Sequence, residues 1–437
     1  MLPRLVTSVP GPESRKLAKL LRRHESRNIT FVSPGFPVFW EKAAGANVWD
    51  VDGNRFLDLT SSFGVATAGH TPRWAWQAFS RQAKLLYHGM GDVHPTAAKA
   101  QLCRELSRIT FEKWGAGAAK VILGCSGSDA VEAALKTSFL ATKKQGFIAF
   151  RGAYHGLSYG TLNIIGRMDF RNPFRQQLRD LAKLVPFPTS LEALPALEKE
   201  MRAQASGKEI GAILVEPVQG RGGEVFPPVG FLKMLRCVAD DLGLLLIFDE
   251  IYTGFFRTGS FFACEREKVV PDLICLAKAL ASGYPISACV GRAKILDYWP
   301  ESDGEALHTS TFLGNPLGCA LALEALRLWQ EKDIPARVLT AENHWRKALA
   351  PLENLKGVRE VRGRGLLWGI ELVDSKGCPD GCRAGQTVEA SLAHGLILLS
   401  GSEGRNVISL SPPLVLTEKE ISAAGKILHL ILSRHAR

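Results

Sequence analysis

Five short aliphatic runs in the middle of this 437-residue chain constrain its fold more than any other feature. Each run is apolar at every position rather than at alternate positions, and a segment long enough for a helix separates it from the next. The runs occupy residues 121–123, 147–150, 212–215, 244–248 and 273–276. Unbroken apolar runs between helices are typical of parallel strands that are buried on both faces. The sequence therefore predicts an α/β fold with a mostly parallel sheet.

The length of the chain predicts two unequal domains, because 437 residues are too many for one small hydrophobic core. Residues 71–320 contain the aliphatic runs and form the predicted large α/β domain. Residues 321–437 form a smaller α+β domain, and residues 1–70 form an N-terminal segment that belongs to it. The elements expected in these outer parts are a basic helix near 14–25, a hairpin at 48–57 with Asp52-Gly53-Asn54 as its turn, a long helix at 319–330 and a closing helix at 417–434.

The composition excludes several other classes of protein. With 46% apolar and 22% charged residues the chain is neither disordered nor collagen-like, and its longest aliphatic run, 244–248, is too short to cross a bilayer. The formal charge of +11 is spread along the chain, and its densest cluster, at 15–23, suits the solvated face of a helix. We therefore expect phosphate or carboxylate ligands, and neither a nucleic acid nor a membrane as a partner.

The cysteines predict a reducing compartment. There are nine, an odd number, and most lie within apolar segments, as expected of buried free thiols. Cys378 and Cys382 flank a turn, but no second Cys/His pair accompanies them, so no metal site is expected. The first residues lack the apolar core of a signal peptide. A cytoplasmic location is the expectation.

A polar or aromatic group follows each aliphatic run directly. In chain order these groups are Gly127-Ser128, Tyr154-His155, Glu216, Asp249 and Lys278. Open α/β sheets bind their ligands at the carboxyl ends of the strands. We therefore expect these five groups to meet at one edge of the sheet.

Each group has a functional and a purely structural interpretation. Gly127 and Ser128 open a helix and are suited to binding a phosphate; alternatively, Ser128 or Asp129 is an N-cap, with Glu132 completing a capping box after Asp129. Asp249 needs a cation or donors if buried, and Lys278 is a candidate for a desolvated amine.

For the last two residues the alternative is a plain ion pair between Asp249 and Lys278, and for Tyr154 it is core packing. Taken together, a phosphate site, a carboxylate, an amine and an aromatic ring are what pyridoxal phosphate requires. A lysine forms the Schiff base, an aspartate keeps the pyridine nitrogen protonated, and donors hold the phosphate.

At this point the residues resemble a known family, the class III (subgroup II) aminotransferases of the fold-type I pyridoxal-phosphate enzymes. The resemblance runs along nearly the whole chain. The motifs that carry it, in family order, lie at 49–54, 126–129, 154–156, 216–220, 249–254, 276–279, 308–312 and 411–414. The resemblance implies a large domain with a mostly parallel seven-stranded sheet and a smaller α+β domain made from the N- and C-terminal segments.

The resemblance also implies roles for single residues. Lys278 carries the cofactor and then moves the proton between the substrate carbon and the cofactor, while Asp249 pairs with the pyridine nitrogen. Tyr154 stacks on the ring and Glu216 holds the polar network. The remaining cofactor contacts are Gly127, Ser128, His155, Tyr252 and Thr311. Thr311 reaches the phosphate from a second subunit, which makes the functional unit a homodimer.

Two departures from the family pattern concern the substrate. Many relatives have Glu where this chain has Arg221, and an Arg where it has Ser409. A buried glutamate without its arginine would be an unpaired charge, so the joint loss is physically coherent. We expect Arg221 or Arg405 to bind a carboxylate instead; the alternative is that Arg221 points to solvent. Phe63 aligns with an apolar substrate-facing position.

These observations predict a ping-pong transaminase that moves an amino group from an amine or amino acid to a 2-oxo acid. ω-Amino acids and hydrophobic amines are the favoured donors. An amino-acid racemase, an epimerase or an aminomutase on the same fold is the alternative, because such relatives share the cofactor motifs.

Overall fold

The computed structural model describes residues 1–206 and 209–434, which form two compact units. One unit consists of Met1–Pro72 together with the chain from Pro335 onward, and the other is Arg73–Ile334. Within the described residues, none of the helices combines the length and the apolarity that crossing a membrane requires.

The N-terminal part of the first unit begins with the basic helix that the sequence predicts and continues into the predicted hairpin. Its elements are α1 (Pro12–His24), β1 (Trp40–Ala44), β2 (Asn47–Asp50), β3 (Arg55–Asp58) and α2 (Ser61–Gly64). β2 and β3 pair antiparallel, which confirms the hairpin. In α2, Ser62 and Phe63 have left-handed backbone angles, so this segment is a turn rather than a regular helix.

The second unit contains the large sheet and its helices. In chain order these are α3 (Arg73–Leu85), α4 (Ala97–Ser107), β4 (Ala119–Gly124), α5 (Gly127–Thr142), β5 (Gly146–Phe150), α6 (Tyr159–Leu162), α7 (Met168–Arg171), β6 (Ala182–Val185), α8 (Leu194–Ala205), β7 (Ile210–Val215), α9 (Phe231–Leu242), β8 (Leu245–Asp249), β9 (Leu273–Leu276), β10 (Ser287–Arg292), α10 (Ala293–Leu296) and α11 (Pro316–Trp329). The five aliphatic runs are β4, β5, β7, β8 and β9, as predicted.

The remainder of the first unit supplies most of its core. It contains α12 (Ile334–Leu349), β11 (Val358–Arg364), β12 (Leu367–Leu372), α13 (Gly381–Ala393), β13 (Leu396–Ile397), β14 (Leu399–Gly401), β15 (Val407–Leu410) and α14 (Glu418–Arg434). β13 pairs with β3 in parallel, so the N- and C-terminal segments share a four-stranded sheet. The second sheet has the order β11-β12-β15-β14, and Trp345 and Trp368 are buried in the same hydrophobic core.

The large sheet has seven strands in the order β4-β10-β9-β8-β7-β5-β6. Strands β6, β5, β7, β8 and β9 are mutually parallel, and only β10 runs antiparallel to its two neighbours. The predicted mostly parallel seven-stranded sheet is therefore confirmed. Every residue of β5 and of β7 is buried, which explains their unbroken apolar sequences.

Helix α5 packs closely on the sheet because the residues that face it are small. Ala130, Ala133 and Ala134 are buried in one cluster with Leu214 and Ile247 of the central strands. This packing fixes the N-terminus of α5 beside the carboxyl ends of those strands.

The second boundary between the units lies at 334/335, not near 320 as the sequence analysis expected. Helix α11 belongs to the large unit because it packs on α3 and α4. Its Trp329 is buried and donates a hydrogen bond from Nε1 to the carbonyl oxygen of Ala279, 3.2 Å away.

Candidate active site

The residues that follow β5 and β8 meet at the sheet edge. Nδ1 of His155 lies 2.7 Å from Oδ2 of Asp249, and the other carboxylate oxygen accepts the backbone N–H of Ile251 at 3.1 Å. Asp249 is buried, so these contacts offset the cost of removing its charge from water. Among residues 1–206 and 209–434, no ion pair joins Asp249 to Lys278. The plain ion pair considered from the sequence is therefore wrong.

Lys278 opens the short turn Lys278–Leu280 directly after β9. Its backbone has a φ of 43°, in the left-handed region that costs a side-chain-bearing residue free energy. Its Nζ lies 4.7 Å from the centroid of the Tyr252 ring. Burial lowers the pKa of Lys278 to about 8; the charges of Asp249 and Glu216 oppose this shift, and that of Arg221 adds to it.

Glu216 connects the loops that follow β5 and β7. It is buried, and its carboxylate accepts the backbone N–H of Tyr154 at 2.9 Å and that of Gly220 at 3.1 Å. Burial raises the pKa of Glu216 to about 7, an effect that nearby His155 opposes and the charge of Asp249 reinforces. The sequence predicted only that this residue belongs to a polar network.

The N-terminus of α5 carries a capping box two or three residues earlier than expected. Ser126 is the N-cap and Asp129 its reciprocal partner, because Ser126 Oγ accepts the N–H of Asp129 while Asp129 accepts the N–H groups of Cys125 and Ser126. The alternative with Ser128 or Asp129 as the N-cap is therefore wrong. Glu132 accepts a hydrogen bond from Ser158 Oγ instead.

This arrangement leaves donors at the helix end. The N–H groups of Gly127 and Ser128 have no acceptor within the described ranges, as expected for the first residues of a helix. They point out of the positive end of a sixteen-residue helix, which attracts anions.

Two glycines allow the surrounding loops to pack without a gap. Gly156 has a φ of 110°, and a Cβ there would overlap Ser128 Oγ. A Cβ on Gly220 would overlap the ring of Tyr252. The loop after β5 therefore rests on the start of α5, and the loop after β7 rests on Tyr252.

Arg221 lies against an aromatic pair. Its Cζ is 4.7 Å from the centroid of the Tyr154 ring and 5.4 Å from that of Phe170, and the two rings pack edge to face. The residue is exposed, but its guanidinium is held by these rings rather than extended into solvent. Arg167 also contacts Phe170, at 5.2 Å, and donates a hydrogen bond to the backbone oxygen of Arg221.

Arg167 and Phe170 could not be predicted from the sequence, because neither lies in a motif or directly after a strand. The other predicted residues are distributed as follows. Thr311 is exposed in the large unit, just before α11. Phe63 and Arg405 belong to the first unit, where both are exposed and have left-handed backbone angles. Their roles in substrate binding stay predictions.

The chemistry of the large-unit residues fits pyridoxal phosphate. The free N–H groups of Gly127 and Ser128 suit a phosphate, and the carboxylate of Asp249 is of the kind that a protonated ring nitrogen requires. The buried Nε2 of His155 has no partner in the part of the chain that the structure describes, as expected where a bound group completes the contacts. Lys278, with its lowered pKa, offers the reactive amine.

Comparisons with known proteins agree with this chemistry. The model of the family "Aminotransferase class-III" matches residues 32–432. A 4-aminobutyrate aminotransferase of Mycobacterium leprae is 33% identical over 98% of this chain and 97% of its own. An acetylornithine aminotransferase of Methanopyrus kandleri is 35% identical over 89% of this chain and 92% of its own.

Among solved structures, an amine transaminase from an uncultivated Pseudomonas species, described as PLP-bound, superposes with a TM-score of 0.86 at 27% identity. The superposition covers 94% of this chain and 98% of the amine transaminase chain. The predicted family, cofactor and type of reaction are confirmed. The chain belongs to the class III aminotransferases, which transfer amino groups between amino and oxo acids with pyridoxal phosphate.

Proposed function

We propose that Lys278 is the catalytic lysine of this transaminase and that Asp249, positioned by His155, is the carboxylate that faces the pyridine nitrogen. The observation that carries the proposal is the pairing of a lysine whose pKa is lowered to about 8 with a buried, hydrogen-bonded aspartate at the end of the adjacent strand. The two residues have the charges and the placement that the chemistry requires.

The residues around this pair would hold the cofactor. Gly127 and Ser128 donate N–H groups to the phosphate, Tyr154 presents its ring, and Tyr252 presents its phenol beside Lys278. Glu216 fixes the backbone of Tyr154 and so keeps that ring in place. When bound, pyridoxal phosphate supplies an electron-withdrawing ring that accepts the electron pair of the substrate's broken C–H bond.

Proton transfer falls to Lys278. With the cofactor bound, its neutral Nζ would accept the proton from the substrate carbon that bears nitrogen, hold it, and release it again to complete the transfer of the amino group. His155 and the Ile251 N–H both contact the carboxylate of Asp249 and hold it in place. Polar contacts thus hold the Asp249 carboxylate in place, whereas burial of Lys278 favours its neutral amine.

A panel of amino donors, added without an oxo acid, tests the function. A productive donor should convert the cofactor to its amine form and shift its absorbance in one half-reaction. Subsequent addition of a 2-oxo acid should restore the spectrum and release a new amino acid. Inversion of configuration at the α-carbon without any oxo acid would instead indicate a racemase.

The reactivity of Lys278 in the cofactor-free protein should titrate near pH 8. Burial disfavours the ammonium and lowers its pKa from 10.5 to about 8, so the amine is neutral above this pH and loses reactivity below it. At pH 8, an exposed lysine with a pKa of about 10.4 is on the order of 100-fold less deprotonated. Acetic anhydride labelling, with the exposed Lys294 as internal reference, measures the difference by peptide mass spectrometry. Equal labelling profiles for the two lysines would contradict the assignment.

We further propose that the enzyme acts as a homodimer in which Thr311 reaches the partner's phosphate site. The loop that contains Thr311 and the 85–93 segment carry exposed apolar side chains; they are Leu85, Leu86, Tyr87, Met90, Val93 and Phe312. This loop is tied to the 85–93 segment by the rings of His88 and Phe312, 5.3 Å apart, and by the hydrogen bond from Thr309 to Asp92. A second copy of the chain is the occupant that the proposed role of Thr311 requires.

Mixed dimers test this arrangement. Thr311→Ala alone should weaken cofactor binding by roughly tenfold, because a hydrogen bond to a charged group contributes about 1.5–3 kcal/mol. A hybrid of Thr311→Ala and Lys278→Ala subunits should contain one intact site, so tight binding and activity should return when the two variants are mixed. If Thr311 served its own subunit, no hybrid site would be intact and mixing would restore nothing.

We also propose a cytoplasmic location. All nine cysteines are free thiols, and Cys237, Cys378 and Cys382 are exposed, a pattern suited to a reducing compartment. Fractionation of the source cells, with the enzyme found in another compartment, would contradict it.

A further inference from the structure

The backbone of Arg221 is fixed from both sides. Its carbonyl oxygen accepts a hydrogen bond of 2.9 Å from Nη1 of Arg167. The preceding Gly220 donates its N–H to Glu216, and its oxygen accepts the N–H of Gly223 at 2.9 Å. The side chain of Arg221 therefore extends from a backbone whose position is defined.

The side chain is held as well. Its guanidinium lies over the rings of Tyr154 and Phe170, whose centroids are 5.7 Å apart. Stacking occupies the faces of a guanidinium and leaves its N–H groups, which point outward in the plane, available to a ligand. Less side-chain entropy is then lost when a ligand binds.

Arg167 and Arg221 differ in whether a carboxylate compensates their positive charge. Arg167 is buried and binds Asp169 through two hydrogen bonds of 2.9 and 2.7 Å. Arg221 has no carboxylate within ion-pair distance in residues 1–206 and 209–434. Glu216 and Asp249 are engaged with backbone N–H groups and with His155. The guanidinium of Arg221 is thus held by two aromatic rings, and no carboxylate of the described residues pairs with its N–H donors.

We infer that Arg221 binds the carboxylate of the substrate and that the enzyme therefore prefers amino donors that carry a carboxylate over simple amines. The inference rests on the proposed function, since it places the substrate beside Lys278. A guanidinium matches a carboxylate with two parallel hydrogen bonds, which no uncharged alkyl group can replace. The cofactor phosphate has separate donors at Gly127 and Ser128, so it does not compete for this arginine.

The influence of Arg221 on Lys278 supports this placement. The positive charge of Arg221 contributes to the lowered pKa of the Lys278 amine, so the two groups share one electrostatic environment. A bound carboxylate would compensate that charge.

A matched pair of donors tests the inference on the holoenzyme. 4-Aminobutyrate and n-butylamine have the same number of carbons and differ by a carboxylate in place of a methyl group. The rate of cofactor conversion with each donor, in a single half-reaction, gives a preference ratio. Arg221→Ala should lower this ratio by at least tenfold, about 1.4 kcal/mol. Arg175→Ala, which removes an exposed arginine of the same unit, should leave the ratio unchanged.

A binding measurement gives a readout that is independent of turnover. The dissociation constant of unreactive butyrate, from calorimetric titration of the holoenzyme, should rise at least tenfold in Arg221→Ala and recover in part in Arg221→Lys. The inference would be overturned if Arg221→Ala left both the preference ratio and the butyrate dissociation constant unchanged. It would also be overturned if Arg405→Ala, and not Arg221→Ala, lowered the ratio and weakened butyrate binding. These failures would leave amino transfer and cofactor attachment at Lys278 intact, whereas failure of the proposed function would show as loss of both in the wild-type enzyme.

Discussion

Replacing Lys278 by alanine should lower the turnover of every amino donor by roughly 10³-fold or more, at the upper end of what a positioned proton-transfer group contributes. In the proposed function this residue combines the attachment of the cofactor with the movement of the proton, and its amine has the lowered pKa that both tasks require. Folding should change little, because alanine meets the same left-handed backbone strain as lysine and the Lys278 amine forms no ion pair within residues 1–206 and 209–434.

Two measurements separate this result from a general loss of structure. Borohydride treatment of the wild-type holoenzyme should fix the cofactor to the peptide that contains Lys278, and no fixed cofactor should be found in Lys278→Ala. Lys294→Ala, which removes an exposed lysine of the same unit, should behave as wild type in both respects. A fixed cofactor on any other lysine would contradict the central role of Lys278.

The large sheet was predictable because burial determines its sequence. Parallel strands covered on both faces need apolar side chains at every position, and β5 and β7 satisfy this requirement throughout. Two strands escaped prediction because neither has an unbroken apolar sequence, although β10 is buried. β6 lies at an edge and contains Lys183, and β10 has the short sequence Ser-Ala-Cys-Val-Gly-Arg, with small and polar residues at both ends.

The strand-end residues were predictable individually, but their bonds were not. His155 and Asp249 are 94 residues apart, and no local pattern indicates that the histidine rather than Lys278 contacts the carboxylate. The aromatic support of Arg221 likewise depends on Phe170, which follows a chain segment without regular periodicity.

Local competition explains the misplaced cap of α5. Ser126 and Ser128 both precede good helix formers, so the sequence allows the helix to begin at either. The close approach of Gly124 to Asp129 decides between them, because a Cβ on Gly124 would lie 2.6 Å from the Cβ of Asp129. This close local packing brings Asp129 over Ser126 and leaves the N–H groups of Gly127 and Ser128 open.

Replacing Asp249 by asparagine should lower turnover by about 10²–10³-fold, the usual effect of removing one preorganised electrostatic contact. The amide preserves the size of the side chain but not the charge that we propose keeps the pyridine nitrogen protonated. It also places an uncharged group opposite Nδ1 of His155, which is buried. Leaving that contact incomplete costs about 1–3 kcal/mol of stability, measurable by urea unfolding.

The same variant should change Lys278 in a direction that a purely structural role of Asp249 would not produce. The charge of Asp249 raises the pKa of Lys278 against the larger effect of burial, so its removal should move the labelling midpoint of the cofactor-free protein below pH 8. Asp272→Asn provides the matched control, because Asp272 is also buried and binds Arg236 and the N–H of Leu246. That variant should lose stability but keep the Lys278 midpoint and the cofactor spectrum. Wild-type turnover in Asp249→Asn, or an unmoved midpoint, would show that this carboxylate is not the electrostatic partner of the site.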